Sequence, residues 1–600
     1  MCGYLGSITF NPIPENNIEK CNKRIECRGP DEKIIINNKN YKSNSLFHNF
    51  AFNRLSIIDL SSKASQPMYS KEFNSLIMFN GEIFNHAELR KKIEKKNIKF
   101  DTSHSDTETL LLGLSCFGTS FLDEINGQFS IFFYDINHNE YYLIRDRAGQ
   151  KPLYYSINKN GIYFGSNLIS LKNYSENRSM NKEQVVNYIN FGTSISEDTY
   201  FENIHKVKPG EFIKFTPEKN KFKIEKNKYW KLSEFMDDKN FIKEEFIDIF
   251  EDSVKIRLES DVPVSNFLSG GLDSTAVIKA INKNRDEINT FSLITEFKEY
   301  DESIFMDQVV QKYNTRHTYE TIGKEVSFHK IKKIISEFDD IIYDPSIIPT
   351  YLLSQKISKQ YKVALSGDGG DELLSGYAHY ANFHSSLKFS KSLVNKAFKI
   401  YPPFLGSGNN ILKFSKDWKA SFSSYYEDRK LMNLLKIKDY QNFENSFLNK
   451  KEKNWKSIMM SDYEFFLDEM MLKKIDRSSM QNSLEIRSPF IDHRLYEYII
   501  SHRYFNNNYE YSQKKIIKDY LKDDFDENFL NRKKMGFSIN INKIILDNRS
   551  EILDTIQNSD IKDFVDLSKI NQLFFVKSKF NALRVWKLFA FSEYLNNNKI

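Results

Sequence analysis

The sequence predicts two domains of different fold class, an α+β domain followed by an α/β domain with a doubly wound parallel sheet. Three observations predict this division. Residues 1–165 contain short apolar strands separated by turn residues, as in GYLGSITF, SLIMFNGEIF and QFSIFFYD. Strand, glycine-rich turn and helix then alternate, as in VPVSNFLSGGLDSTAVIKAI and KVALSGDGGDELLSGY. Beyond residue 380 the apolar spacing is helical, as in ALRVWKLFAFSEYL, which predicts C-terminal helices.

Two polar, weakly periodic stretches, 171–200 and 216–228, are typical of connecting segments. They place the domain boundary near residue 230. We therefore assign residues 2–215 to the first domain and residues 230–600 to the second.

The composition excludes several classes of partner. The chain has 86 basic and 80 acidic residues, and no Lys/Arg block stands apart, so we expect no nucleic-acid partner. Neither a signal-peptide pattern nor an apolar run of about 18 residues occurs, so we expect no membrane partner. The cysteines, namely Cys2, Cys21, Cys27 and Cys116, are too sparse for a disulfide framework. Together these features favour a cytoplasmic protein.

Cys2 stands directly behind the start methionine. If Met1 is removed, Cys2 carries both a thiol and a free α-amine. Such a residue can act as a nucleophile with its own amine as the base. The alternative is that Cys2 is a small apolar residue, since thiols are often buried hydrophobes.

Further polar signals recur in RGPD, NRLSIIDL, QPM, NGEIFNH and SDTE. Each has a structural interpretation. Asn-Gly is a common hairpin turn, Arg54 suits the surface, and Asp106 suits a helix N-cap. Together, however, they fit the hydrolysis of a side-chain amide on an amino acid. Arg54 can bind an α-carboxylate and Asp106 an α-ammonium group.

The remaining residues of this set fit the same reaction. The Asn80 side chain and the Gly81 N–H can stabilise an oxyanion, and Glu82 can add an acceptor. The amino acid that combines these groups with a side-chain amide is glutamine. We therefore expect glutamine as a substrate.

The first domain contains, in this order, Cys2-Gly3, RGPD, RLSIIDL, NGEIFN, SDTE and RDRAGQKPLYY. The same order is found in class II glutamine amidotransferases, and residues 1–165 resemble that family. The resemblance implies an N-terminal-nucleophile (Ntn) hydrolase fold, an αββα sandwich. It also implies the glutamine-site roles given above to Cys2, Arg54, Asn80, Gly81, Glu82 and Asp106. Asn167 departs from the family, which has glutamate there, near the expected domain interface.

The stretch LSGGLDS, Leu268 to Ser274, has the chemistry of a phosphate-binding loop. Gly270 and Gly271 let the backbone approach an anion, Ser269 and Ser274 offer hydroxyls, and a helix N-terminus follows. It is not a Walker A loop, because the G-x-x-x-x-G-K-[ST] spacing is absent. A plain strand-to-helix turn is the alternative, but it rarely needs this order of residues.

A second loop, LSGDGGDE, carries three glycines and three carboxylates. Carboxylates repel phosphates unless a cation intervenes, which implies Mg²⁺ held by few protein oxygens and by the nucleotide. The candidate ligands of Mg²⁺ are Asp273, Asp368 and Asp371, and the sequence does not rank them. We expect Lys534, in NRKKMGF, to reach the phosphates, with a solvated basic run as the alternative.

A second resemblance rests on the stretches LSGGLDS, TFSLI, YDES, DPSIIPTYLLS, LSGDGGDELLSGY, IDRSSMQNSLEIRSPFIDHRL, RKKMGF and RVWKLF. With these stretches, residues 230–590 resemble the PP-loop ATP pyrophosphatase domain of asparagine synthetases. The resemblance implies that Leu268 and Leu293 flank ATP and that Ser366 and Gly367 contact it. It assigns pyrophosphate to Ser269, Gly270, Gly271, Leu272, Asp273 and Ser274. Asp368 matches the acidic position tied to acyl-adenylate formation, and Asp273 and Asp371 stay the metal candidates.

The two resemblances imply an enzyme that uses glutamine and ATP to amidate a carboxylate. With aspartate as acceptor the product is asparagine. Another carboxylate, such as a sugar uronate, is the alternative, because Asp340 and Ile341 stand where the family often has Glu-Pro. A non-catalytic regulator is the third reading, supported by Asn167 and Ile341. A homodimer is expected by analogy.

Overall fold

The computed structural model describes residues 2–41, 46–176, 179–295, 302–322, 326–377, 380, 389–406, 408–412, 414–416, 418–440, 455–504, 514–532 and 539–598. Three β-sheets organise this part of the chain. Lys534 lies outside the described residues.

Two antiparallel sheets of six strands form the first domain. The first has the order β10 (Ile204–Lys206), β8 (Tyr154–Asn158), β9 (Gly161–Gly165), β1 (Cys2–Thr9), β3 (Phe47–Arg54), β2 (Glu32–Lys39). The second has the order β12 (Lys221–Lys228), β11 (Glu211–Glu218), β7 (Glu140–Arg145), β6 (Gly127–Asp135), β5 (Ser75–Ile83), β4 (Met68–Ser70). Their inner faces share one apolar core, in which Phe132 and Phe164 stack with ring centroids 4.4 Å apart.

Helices cover both outer faces of this sandwich. His86–Glu94 and Asp106–Phe117 pack on the second sheet, because their leucines join the outward apolar residues of β5 and β6. Leu168–Tyr174 and Lys182–Phe191 pack beside the first sheet. The predicted αββα arrangement is therefore confirmed.

The second domain contains a parallel sheet of five strands. Its order is β15 (Arg316–Ile322), β14 (Asn289–Thr295), β13 (Val264–Phe267), β16 (Val363–Leu365), β17 (Glu485–Arg487). The chain builds outward from β13 in one direction and then continues at β16 in the other. The predicted doubly wound sheet is confirmed, and its switch point, where such sheets bind ligands, lies between β13 and β16.

Helices surround this sheet and extend to the C-terminal part of the chain. Their bounds are Lys243–Arg257, Leu272–Asn282, Ser303–Tyr313, Phe328–Glu337, Ile347–Ile357, Gly370–Leu373, Lys391–Ile400, Asn409–Leu412, Trp418–Ser423, Arg429–Leu434, Trp455–Ser461, Lys473–Met480, His493–Ser501, Lys515–Leu521, Glu527–Asn531, Ile541–Asp547, Arg549–Gln557, Leu567–Ile570 and Lys579–Asn597. A π-helical stretch, Asp462–Leu472, joins two of them. In the part of the chain that is described, no helix has both the length and the apolarity to span a membrane.

Both stretches predicted as connecting segments contain regular structure. Residues 171–200 include the helix Lys182–Phe191, and residues 216–228 include strand β12. The second prediction is wrong because β12 is an edge strand, whose outer face is solvated and therefore polar. Phe222 on its inner face packs against Phe10, with ring centroids 5.2 Å apart. The sandwich thus continues past residue 215.

Candidate functional site

The register of β1 against β3 places Cys2 opposite Arg54. The Cys2 N–H donates a hydrogen bond of 3.1 Å to Asn80 Oδ1, and the residue is only 6% exposed. Burial raises the pKa of the Cys2 thiol. The thiol therefore needs a nearby base before it can act as a nucleophile.

Asn80 and Gly81 lie inside strand β5, so the hairpin-turn interpretation is wrong. Gly81 pairs with Phe129, and a Cβ on Gly81 would lie 2.0 Å from the Gln128 carbonyl oxygen. Only glycine fits this close approach of two strands. The Asn80 Nδ2 group donates to Ser130 Oγ over 3.4 Å.

Arg54 is held by main-chain carbonyls of the segment that follows β3. Its guanidinium donates to the carbonyl oxygen of Ser61 over 2.9 Å and to that of Asp59. The Arg54 side chain is buried, and the nearest carboxylate oxygen of Glu32 lies 3.7 Å away. A buried guanidinium bound mainly by neutral carbonyls suits an anionic ligand.

Asp106 is the first residue of its helix, and Ser105 is the N-cap, so the N-cap interpretation of Asp106 is wrong. Asp106 Oδ2 accepts a hydrogen bond of 3.3 Å from the Ile83 N–H. Glu82 faces the second domain, where Arg487 Nη2 lies 3.2 Å from its Oε2. Burial raises the pKa of Asp106 and of Glu82, and the Asp106 charge raises that of Glu82 further.

These side chains meet at one pocket, which is partly open to solvent. The residues that line it are Cys2, Arg54, Leu55, Ile57, Ile58, Ala64, Gln66, Phe79, Gly81, Glu82, Asp106 and Thr107. Five of the six residues predicted for glutamine binding are among them, and the sixth, Asn80, bonds the Cys2 main chain. A thiol, a guanidinium and two carboxylates thus surround space for a small zwitterion.

The second candidate site lies at the switch point of the parallel sheet. The loop Leu268–Ser274 follows β13 and the loop Leu365–Glu372 follows the adjacent strand β16. Ser269 Oγ lies 3.0 Å from Ser274 Oγ and accepts the Gly271 N–H over 3.1 Å. Both hydroxyls therefore face the N-terminus of the helix Leu272–Asn282, as a phosphate-binding loop requires.

Two glycines allow the two loops to approach each other closely. A Cβ on Gly367 would lie 2.6 Å from Ser274 N, and one on Gly370 would lie 2.6 Å from Asp273 Oδ1. Gly270 has φ of +67°, a conformation that favours glycine. The sequence spacing of these glycines is thus explained by loop-to-loop contact as well as by anion binding.

Lys514 is a residue that the sequence analysis missed. It is buried, and its Nζ contacts Asp273 Oδ2 and lies 2.5 Å from Asp371 Oδ1. Burial alone would lower the pKa of Lys514, but the two carboxylates raise it above its usual value. Within the sequence KKIIKDYL it looks like part of a solvated basic run. The excess of carboxylates in the two loops was the signal for such a partner.

The other residues predicted for ATP lie around the same loops. Leu268 and Leu293 are buried. Leu293 lies in strand β14, and Leu268 directly follows the adjacent strand β13. The Ser366 N–H donates to the Arg487 carbonyl oxygen over 3.0 Å. Asp368 is partly exposed, and Lys534 lies outside the described residues. Arg487 thus contacts the nucleotide loop through its main chain and Glu82 of the glutamine pocket through its side chain.

The donor chemistry of the loops suits a hard cation. Asp273 and Asp371 come from different loops and converge on one cationic position, that of the Lys514 ammonium. Carboxylate oxygens are the ligands that Mg²⁺ prefers. No larger cluster of His, Cys, Asp and Glu with metal-binding geometry occurs among the described residues. These two carboxylates fit a Mg²⁺ ion that takes its remaining ligands from a nucleotide.

Buried ion pairs join the two domains beside the glutamine pocket. Arg28 forms a bidentate pair with Asp476, with distances of 2.8 and 3.0 Å. The Nε of Arg28 also donates to the Cys2 carbonyl oxygen over 3.2 Å. The main chain of Cys2 is therefore tied to a helix of the second domain.

The three departures from the family pattern lie at this interface. Asn167 caps the helix Leu168–Tyr174, and the next N–H, of Leu168, donates to Asp339 over 2.7 Å. Asp340 is buried and pairs with Lys473 at 3.0 Å. Ile341 is buried in the apolar core between the domains. These side chains fill the interface itself.

A sequence profile of the asparagine synthase family matches residues 245–596, more than half of the chain. The chain belongs to the asparagine synthase family. A second profile, for the glutamine amidotransferase domain, matches residues 1–230. The resemblance inferred from the motifs is confirmed for both parts of the chain.

Curated relatives of this family align with most of the chain. Asparagine synthetase [glutamine-hydrolyzing] 1 from Bacillus subtilis (strain 168) is 27% identical, over 98% of this chain and 96% of its own length. A putative asparagine synthetase [glutamine-hydrolyzing] 2 from Methanocaldococcus jannaschii is 35% identical, over 64% of this chain and 76% of its own. Amidase chry2 from Gibberella zeae is 22% identical, over 90% of this chain and 88% of its own.

Proposed function

We propose that this protein transfers the amide nitrogen of glutamine to a carboxylate activated by ATP, with aspartate as the acceptor and asparagine as the product. Glutamate, AMP and pyrophosphate are the other products. The observation that carries the proposal is that one chain contains both sites. It has a pocket lined by Cys2, Arg54 and Asp106, and it has two glycine-rich loops at the switch point of a parallel sheet. Names of the relatives from B. subtilis and M. jannaschii support it.

Glutamine enters the first pocket with its α-carboxylate against Arg54 and its α-ammonium group towards Asp106. Cys2 Sγ attacks the carboxamide carbon. Because burial raises the pKa of the thiol, a base must take its proton, and the free α-amine of Cys2 serves once Met1 is removed. That amine is held where the Cys2 nitrogen now lies, 3.1 Å from Asn80 Oδ1.

The oxyanion that forms needs donors from β5. The Gly81 N–H supplies one, and the Asn80 amide supplies the second when it turns from Ser130. Loss of one such donor typically costs about 3 kcal/mol of transition-state stabilisation. The carbon–nitrogen bond then breaks, ammonia leaves with the proton taken from the thiol, and water hydrolyses the Cys2 thioester to glutamate.

ATP lies across the switch point, with its phosphates at Ser269–Ser274. An acceptor carboxylate oxygen attacks the α-phosphorus, the bond to the bridging oxygen breaks, and pyrophosphate leaves. Lys514, which contacts Asp273 and Asp371, would balance its charge. We expect Lys534 to reach the phosphates as well, and Asp368 is the acidic residue assigned by resemblance to this step. Mg²⁺ held by Asp273 and Asp371 would neutralise phosphate charge. Ammonia attacks the acyl carbon and displaces AMP.

A direct test combines the pure protein with ATP, Mg²⁺, glutamine and a panel of carboxylates that includes aspartate and sugar uronates. We expect pyrophosphate, AMP and asparagine to form with aspartate. Pyrophosphate release with a uronate and none with aspartate would reject the proposed acceptor. Absence of glutamate release from glutamine would reject the enzyme altogether and favour a regulator that only binds.

The second candidate is an amidotransferase for another carboxylate. Asp340 and Ile341 favour it, because they stand where the family often has Glu-Pro, and Asp340 carries its charge into the domain interface. The carboxylate panel decides between the two.

The proposal includes two further properties, the location of the protein and its oligomeric state. Sparse free cysteines suit a reducing compartment, so we propose a cytoplasmic location. Analogy with the family supports a homodimer, which light scattering of the pure protein tests directly.

A further inference from the structure

One wall of the glutamine pocket is the segment Ile57–Ser61, which follows strand β3. Ile57 and Ile58 line the pocket. The carbonyl oxygens of Asp59 and Ser61 accept hydrogen bonds from the Arg54 guanidinium. The position of this segment therefore sets the position of the cation that would bind the α-carboxylate of glutamine.

A residue of the second domain, Asp261, holds this segment at two points. The Asp261 N–H donates to the Ile57 carbonyl oxygen over 3.0 Å. The Asp261 Oδ2 atom accepts the Asp59 N–H over 2.7 Å. The two hydrogen bonds are to the residues on either side of Ile58, so Asp261 holds the main chain of this pocket wall in place.

The same carboxylate also contacts the segment that leads into Asp106. Asp261 Oδ2 lies 2.6 Å from His104 Nε2. His104 precedes Asp106, the proposed partner of the α-ammonium group, by two residues. The Asp261 carboxylate thus contacts two segments of the first domain. One is Ile57–Ser61, which binds the Arg54 guanidinium, and the other contains His104 and leads into Asp106.

Asp261 is also close in sequence to the nucleotide loop. Only Val262 and Pro263 separate it from strand β13, which leads directly into Leu268–Ser274. A short, extended segment therefore joins the loop that would bind pyrophosphate to the wall of the glutamine pocket. A continuous chain segment of this kind is one physical route for coupling between two sites.

We propose that Asp261 is a positioning residue for glutamine, supplied by the synthetase domain to the amidotransferase pocket. It acts through the Ile57–Ser61 segment, which orients Arg54, and it does not touch the substrate. This inference rests on the proposed hydrolysis of glutamine. A residue that positions a substrate-binding cation changes KM more than kcat, because it acts on ground-state and transition-state binding alike.

The test compares two substitutions in the full-length protein. Asp261→Ala removes the bonds to Asp59 and His104 but keeps the main-chain bond to Ile57. Asp261→Asn keeps an acceptor for the Asp59 N–H. We expect Asp261→Ala to raise the glutamine KM about 10-fold with kcat nearly unchanged, the size of one charge-assisted hydrogen bond. Asp261→Asn should restore most of the affinity.

Synthesis from added ammonium salts serves as the internal control, because it bypasses the glutamine pocket and should be unchanged in both variants. Glu259→Ala is the matched substitution. Glu259 lies in the same segment, and its carboxylate lies 3.8 Å from His86 of the first domain. Within the described part of the chain it makes no side-chain hydrogen bond to Ile57–Ser61. The glutamine KM of the Glu259→Ala variant should equal that of the wild type.

A wild-type glutamine KM in Asp261→Ala would overturn the inference, as would an equal rise in Glu259→Ala. A proportional loss of ammonium-dependent synthesis would also overturn it, since that would place the effect on the synthetase domain or on folding. If the wild type does not hydrolyse glutamine, the proposed function fails and this inference fails with it. If the wild type hydrolyses glutamine and KM does not move, only this inference fails.

Discussion

The two candidate sites are built on different parts of their sheets. In the glutamine pocket, Cys2, Arg54 and Gly81 lie within strands, so the pairing register of antiparallel strands fixes their distances. In the nucleotide site the corresponding residues lie in loops that follow β13 and β16. Strand register fixes the thiol relative to the guanidinium, whereas glycine loops leave main-chain N–H groups open to an anion.

The sites also differ in how charge is balanced. Arg54 in the first pocket faces two carboxylates, Glu82 and Asp106, whose pKa values are raised by burial. That balance suits a zwitterion with no net charge. The nucleotide loops carry an excess of carboxylates, and Lys514 lies between two of them. This second arrangement suits a highly charged ligand that arrives with its own cation.

Removal of the nucleophile should separate the two sites most sharply. Cys2→Ala should lower glutamine-dependent amide formation at least about 10³-fold, as expected for loss of a covalent nucleophile. Synthesis from ammonium salts should stay within about threefold of the wild type, because it needs only the nucleotide site. Both rates are measured in one preparation by product formation.

Circular dichroism is the control for the fold of Cys2→Ala. Equal loss of the glutamine-dependent and ammonium-dependent rates in a folded variant would contradict the division into two sites.

Lys514 provides the converse separation. Lys514→Ala should lower amide formation about 10²-fold, since it removes a buried cation beside the proposed pyrophosphate. Glutamine hydrolysis should persist, because Lys514 has no contact with the first pocket among the described residues. The measurement is pyrophosphate release beside glutamate release. Lys515→Ala, at the exposed neighbouring position, is the control. If the two substitutions behave alike, Lys514 has no part in the nucleotide site.

Lys514 also illustrates what the sequence could not predict. Strand–turn–helix alternation predicted the parallel sheet, and the glycine and serine spacing predicted both loops, because these patterns are local. The partner of Asp273 lies 241 residues further along the chain, so no local pattern marks it. The same holds for the pairs Arg28–Asp476 and Glu82–Arg487, which form only when the domains meet.

Local patterns failed in the first domain where tertiary context overrides them. Asn80-Gly81 has the sequence of a hairpin turn but lies within β5, where the close approach of Gln128 requires glycine. Strand β12 has the polarity of a connecting segment because it lies at a sheet edge. Cys2, Arg54 and Asp106 were predicted together because the chemistry of glutamine requires them together.

Gly367 tests whether loop contact shapes the nucleotide site. A Cβ on Gly367 would lie 2.6 Å from Ser274 N and 2.9 Å from the Asp273 carbonyl carbon, which are main-chain atoms. Gly367→Ala should therefore push the loops apart and raise the KM for ATP about 10-fold, roughly the loss of one hydrogen bond to a charged group. Glutamine hydrolysis in the same variant is the control and should not change. An unaltered KM for ATP would mean that the loops separate without loss of the site.

Asn167 should give the smallest effect. Its side chain caps the helix Leu168–Tyr174 by accepting the Ser170 N–H over 2.8 Å. Asn167→Ala should lower the free energy of unfolding of the first domain by about 1 kcal/mol, measured by thermal unfolding, with both activities retained. Asn167→Asp keeps the cap and is the control. Loss of coupling between glutamine hydrolysis and amide formation, without loss of stability, would show that Asn167 has a functional role at the interface.

The proposed function requires that ammonia released at Cys2 reach the nucleotide site within the protein, because in bulk water near pH 7 it would become unreactive ammonium. Its most direct test is amide formation from glutamine labelled with nitrogen-15 at the amide, in the presence of unlabelled ammonium at a concentration that by itself supports only slow synthesis. We predict that the product keeps most of the label. Dilution of the label in proportion to the free ammonium would contradict the account, because nitrogen would then pass through the solvent.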